Sequence, residues 1–125
     1  MKKLIQWPQL AGLFSIAALS VLSLGASAQS TAKTIKGELL DMNCYMAKGA
    51  HGADHKQCAQ MCLQGGAPAG VLASNGQVYL LVQDHDNGTP YTEIRKHGGE
   101  QVEVTGKAVT RNGVQALVVE KAKAI

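Results

Sequence analysis

Two Asn-Gly pairs, Asn75–Gly76 and Asn112–Gly113, constrain the fold of this chain more than any other feature. Asn and Gly both tolerate the positive φ that a type I′ turn requires, so an Asn-Gly pair between apolar runs predicts a β-hairpin. The first pair sits inside Val71 to Val82, where Val78, Leu80 and Val82 share one face of the second strand. The second follows Gln101 to Val109, in which Val102, Val104 and Ala108 alternate inward against Glu103 and Lys107 outward. It turns the chain into a last strand, Val114 to Glu120. Thr34 to Met42 alternates in the same way, with Ile35, Gly37 and Leu39 opposite Lys36 and Glu38.

Helix signals interrupt these strands twice. Asp54 can cap a helix from His55 to Gln64, with Gln57 reaching back as in a capping box, and Gly65–Gly66 with Pro68 ends it. Thr89–Pro90 opens a shorter helix that Gly98–Gly99 terminates. Asn43 to Ala53 has two glycines and no period, so it reads as a loop. Strand, helix, two strands, helix and two strands is the order of a small five-stranded OB-like barrel, mainly β, with an inserted short helix after the first strand. A five-stranded open sheet with that helix on one side is the alternative.

The N-terminus predicts export. Met1-Lys2-Lys3 is a basic start, Ala11 to Leu24 is an uncharged apolar run, and Ala26-Ser27-Ala28 is the small-x-small pattern of a signal-peptidase site. The run is shorter than the ~20 residues of a membrane span, so cleavage after Ala28 is expected rather than an anchor. The protein is then periplasmic or secreted. Removing 28 of the 125 residues leaves 97, a single OB-like domain from Gln29 to Ile125. Loss of Lys2 and Lys3 lowers the formal charge from +3 to near +1, and three tyrosines are the aromatics that remain. Single-strand binding needs aromatic platforms and a positive groove, so nucleic acid is not expected as a partner. With so little aromatic bulk, a disulfide or a metal would supply much of the stability.

All three cysteines fall within Asp41 to Cys62, DMNCYMAKGAHGADHKQCAQMC, together with Met42, Met46, Met61, His51 and His55. Thiolate and thioether sulfur favour Cu(I), and thiolate with imidazole favours Zn(II). On one helix His55, Cys58 and Cys62 share a face. Cβ atoms four residues apart lie ~5–6 Å from each other, whereas a disulfide wants ~3.5–4.5 Å. Cys58 and Cys62 therefore suit a shared metal better than a bond to each other, and Cys44 can close on them from the preceding segment. Cys44, Cys58, Cys62 and His55 make a Cys₃His set for Zn(II). Met42, Met46 or Met61 as added or replacement ligands would suit Cu(I) instead. The competing expectation is a staple: in an oxidising compartment Cys44 could bond Cys58 or Cys62, closing about 15–19 residues for ~3 kcal/mol. One thiol would be left over, since the cysteine count is odd. Asp84, Asp86 and Asn87 lack the spacing and terminal Glu of an EF-hand and read as a solvated turn. His85 and His97 read as surface residues. No phosphate loop, nucleophile elbow or supported carboxylate pair is present, so no enzymatic activity is expected.

The stretches GELLDMNCY, HKQCAQMCLQGGAPAG, GQVYLLV and QVEVTGK resemble a family of small exported bacterial domains. That family has one cysteine after its first strand, a later CxxxC, a Gly-Pro turn, a G-x-x-Y hairpin and a V-x-V-x-G strand. The resemblance spans Ile35 to Val119. It implies that Cys44, Cys58 and Cys62 belong together, and carries no activity with it. The CxxxC with a nearby His also resembles periplasmic copper-delivery proteins of thioredoxin fold. The βαβ pattern of that fold is missing here, so only the ligand chemistry transfers. The resulting expectation is an exported soft-metal-binding protein, Cu(I) first and Zn(II) second. The alternative is a disulfide-stapled module that docks another envelope protein.

Overall fold

The computed structural model describes residues 30–125; the expected signal segment, residues 1–28, lies outside the described residues. Five strands close into a barrel: β1 (Thr31–Asp41), β2 (Ala69–Ala73), β3 (Val78–Gln83), β4 (Gln101–Arg111) and β5 (Val114–Ala124). Neighbours run in the order β1-β2-β3-β5-β4, and β4 returns to β1. All pairs are antiparallel except β3 with β5. This is the OB-like barrel expected from the element order, and it replaces the open-sheet alternative. Among the described residues, no helix is long and apolar enough to cross a membrane.

Period-two alternation places the core. Ile35 and Leu39 of β1, Val102 and Val104 of β4, and Leu117 and Val119 of β5 point inward and are buried. In β3 the inward residues are Tyr79 and Leu81, so the Val78, Leu80 and Val82 face is the outer one. Both faces of β3 are apolar, and the pattern within one strand cannot choose between them.

The turns differ from each other. Asn112 and Gly113 both have positive φ (48° and 85°), as a two-residue type I′ turn demands. At Asn75–Gly76 only Gly76 is left-handed (φ 82°), and its N–H donates to Ala73 while Ala73 N–H donates to Gln77. The expected type I′ turn is therefore a three-residue loop, a tight turn closed by a left-handed glycine.

Three helical pieces cover the barrel: α1 (Met42–Lys48), α2 (Lys56–Gln64) and α3 (Thr89–Ile94). Short 3₁₀ turns, Ala53–His55 and Arg95–His97, precede α2 and follow α3. Leu63 of α2 and Ile94 of α3 are the plugs that the helices insert into the core. Pro90 at the start of α3 and Gly98 beyond its end match the sequence signals. The end of α2 is held from α3's side: Arg95 Nη2 donates to the carbonyls of Leu63 and Ala67. A guanidinium there satisfies helix-end carbonyls that have no intrahelical donor and complements the helix dipole. Arg95→Ala is expected to destabilise the protein by ~1–3 kcal/mol, through loss of its charge-assisted hydrogen bonds to the Leu63 and Ala67 carbonyls. Urea denaturation measures it, and a loss below about 0.5 kcal/mol would count Arg95 as an ordinary surface residue.

Candidate metal centre

The segment between β1 and β2 carries the cysteines, and its first half is a helix rather than the expected loop. Asp41, the last residue of β1, caps α1: its Oδ1 accepts from the amides of Asn43 (3.0 Å) and Cys44 (3.3 Å). Gly49 ends α1 in the left-handed region (φ 68°), with its N–H on Tyr45 O. An Asp seven residues before Lys48 and a Gly after it were the available signals. They bracket a helix too short to show an apolar period. The capping box predicted at Asp54 does not form. Asp54 lies in the 3₁₀ turn, and neither that turn nor α2 has a side-chain cap. The turn ends at His55, which still reaches the cysteines.

Glu38 of β1 pins the intervening segment. Its carboxylate accepts from Gly52 N–H and stands 3.5 Å from His51 Nδ1, while the His51 ring meets Tyr45 edge-on at 6.1 Å. On the far side, Glu100 holds Lys56 Nζ at 3.0 Å and His97 Nδ1 at 2.8 Å, which ties the start of α2 to the segment before β4. Hydrogen bonds with His97 first and Lys56 second keep the Glu100 carboxyl below its usual range.

Between these anchors the donor atoms converge. One ligand atom each from Cys44, His55 and Cys58 lies within 4.8 Å of the others, and the same holds for Asp41, Cys44 and Cys62. Cys44 belongs to both groups. Cys58 is exposed, Cys44, Cys62 and His55 are half-buried, and Asp41 is 1% exposed. All three cysteines are free thiols. Asp41 Oδ2 and His55 Nε2 are 3.6 Å apart, and both are buried without a hydrogen-bond partner. No family model matches this chain, and no curated protein or solved structure matches it either. The functional reading rests on this geometry and on the sequence.

Electrostatics orders the thiols. Burial pushes the Asp41 carboxyl upward, but the Cys44 thiol and amide, the Asn43 amide and the Cys62 thiol together hold it below its ordinary range. It is therefore an anion at neutral pH. Beside it, the Cys44 thiol is pushed up to about 11, first by the Asp41 carboxylate and then by burial. Burial, and then the Cys58 thiol, push Cys62 up. A thiol held protonated is a poor nucleophile. Iodoacetamide at neutral pH is accordingly expected to modify exposed Cys58 first and Cys44 last in metal-free protein, as read by peptide mass mapping. Fastest reaction at Cys44 would contradict the role given to Asp41.

Met46 and Met61 are 74% and 69% exposed. Met42 packs on β2, where its Sδ would lie 2.3 Å from a Cβ added at Gly70. His85 is exposed. In the acidic turn the side chains serve their own backbone, Asp84 Oδ1 accepting from Asp86 N–H at 2.8 Å and Asn87 Oδ1 from Thr89 N–H at 3.4 Å. Sequence reasoning assigned no role to Asp41. It is a carboxylate at the end of an amphipathic strand, and only the fold reveals that it is buried.

Proposed function

We propose that this protein binds a soft transition metal without catalysis, Cu(I) first and Zn(II) second, in an exported compartment. The ligands are Cys44, Cys58 and Cys62 with His55. The observation that carries this reading is a pair of overlapping groups of close donor atoms, Cys44–His55–Cys58 and Asp41–Cys44–Cys62, built from three free thiols, an imidazole and a buried carboxylate. Thiolate sulfur favours Cu(I), and the sulfur-and-nitrogen set also accommodates Zn(II). Exposure of Cys58 leaves one ligand within reach of a donor or acceptor molecule, as carriage of an ion requires. Met46 and Met61, exposed on α1 and α2, are placed to meet an arriving Cu(I) rather than to complete its final coordination. Their exchange for Leu should slow Cu(I) loading and leave Zn(II) unaffected, because a thioether is a poor partner for zinc.

The test is competition with a Cu(I) chelator on reduced protein, set beside the variant with all three cysteines replaced by Ser. Wild type is expected to take Cu(I) from a chelator that the variant cannot challenge. Equal affinity would end the metal reading. Protein isolated from the periplasm with a single reactive thiol would then support the disulfide-stapled module.

A further inference from the structure

A single ion does not use the donors that the pocket assembles. Trigonal Cu(I) takes three ligands, which one of the two groups supplies in full. The other group then keeps a carboxylate and a thiol that share only Cys44 with it. Asp41 is the decisive residue. Its Oδ1 is committed to the amides of Asn43 and Cys44, whereas Oδ2 faces the pocket from a side chain with no exposed surface and has no hydrogen-bond partner. His55 Nε2 is likewise buried and unpartnered, 3.6 Å away, too far for a hydrogen bond. Buried polar atoms are seldom left so, because the desolvation penalty is not offset. Asp41 and His55 belong to different groups of close donor atoms, which overlap only at Cys44.

We propose that the pocket holds two monovalent soft ions side by side, bridged by the Cys44 thiolate. The outer ion takes Cys44, His55 and exposed Cys58; the inner takes Asp41, Cys44 and Cys62. The proposal rests on the soft-metal reading above and adds to it a second position and a fourth anionic ligand. Three thiolates and a carboxylate carry four negative charges, and a second cation lowers the repulsion among them. Ligation releases the thiol protons to solvent and changes no oxidation state. The outer position opens to solvent through Cys58, so it fills and empties first, and the inner position is the retained one.

Native mass spectrometry of the reduced, exported protein, titrated anaerobically with chelator-buffered Cu(I), counts the ions. Wild type is expected to saturate at two. Cys58→Ser and Cys62→Ser should each saturate at one, and Cys44→Ser should hold neither tightly. Asp41→Asn keeps a capping oxygen for α1 and loses the charge. It should retain the outer ion and lose the inner, which serves as the inner-site variant if Cys62→Ser does not fold. Saturation of wild type at one ion overturns the two-ion proposal and leaves the soft-metal reading standing. A wild type that binds no better than the triple Ser variant overturns both. A second ion that survives Cys62→Ser and disappears in Met46→Leu with Met61→Leu would lie on surface thioethers, and the inner position would be wrong.

Discussion

Cys44→Ser is expected to weaken Cu(I) binding by more than the ~10–100-fold that follows loss of a residue behind a metal ligand. The expectation follows from position. Cys44 is the donor common to both groups of close ligand atoms, so its removal strips sulfur from every arrangement the pocket can offer. His85→Ala is the matched control, being exposed and outside the cluster. The pH dependence gives a second signature. Ligation must displace protons from thiols whose affinity for them is raised, Cys44 to about 11 and Cys62 in the same direction. Apparent affinity should therefore fall as pH falls, by about tenfold per unit for each proton displaced. Cys44→Ser should flatten this slope as well as shift it. Chelator competition between pH 6 and 8 measures both effects. A variant within threefold of wild type, with an unchanged slope, would remove Cys44 from the site.

The same groups make metal-free stability depend on pH with a definite sign. A carboxyl held below its ordinary value, as Asp41 is, stabilises the fold above that value and ceases to do so as pH falls through its folded pKa. A thiol held above its ordinary value, as Cys44 is, contributes below pH 9.0 and loses that contribution as pH rises toward about 11. The metal-free protein should accordingly lose stability on both sides of the neutral range.

Gly106→Val should be strongly destabilising. A Cβ at Gly106 would stand 1.9 Å from Val118 O and 2.8 Å from Val118 C, and the obstacle is backbone that cannot rotate away. Beside it, the β4–β5 register slips between Thr105 and Gly106, so that Glu120 is bypassed. An irregularity next to a glycine is how a twisted sheet bends enough to close. Overpacking a core costs typically ~1–3 kcal/mol, and immovable backbone puts this variant at or above the upper end. In a domain of this size each 1 kcal/mol lowers Tm by about 4–8 °C. Gly113→Val is the comparison: nothing lies within 4 Å of its added Cβ, so only the strain of φ 85° opposes it. Calorimetry should show the larger loss at Gly106. A Gly106→Val protein melting above Gly113→Val would undo this account of barrel closure. Metal affinity of the folded fraction should be unchanged, because Gly106 is remote in sequence and register from the cysteine segment.

The alternating strands and the clustering of sulfur were legible because both are local. Ile35, Leu39, Val102 and Val104 fall where a period of two puts them, and Asn112–Gly113 makes the turn its chemistry favours. Helix α1 was missed although Asp41 and Gly49 bracket it, because seven residues with no buried side chain leave no period to read. The turn at Asn75–Gly76 was misread because Asn tolerates positive φ without requiring it. Met46 and Met61 were grouped with the cysteines by composition alone.

By itself the sequence determined where strands begin and turn, how the helices end, and that every cysteine shares one short segment. Tertiary structure decided the rest. The parallel pairing of β3 with β5 and the return of β4 to β1 join residues far apart in the chain, and they choose which apolar face of β3 points inward. Closure also buries Asp41 beneath α1 and α2 and turns its free oxygen toward the thiols. That placement raises the Cys44 thiol and makes a carboxylate part of a sulfur site. Burial and proximity are properties of the closed barrel, whereas period and turn chemistry are properties of neighbouring residues.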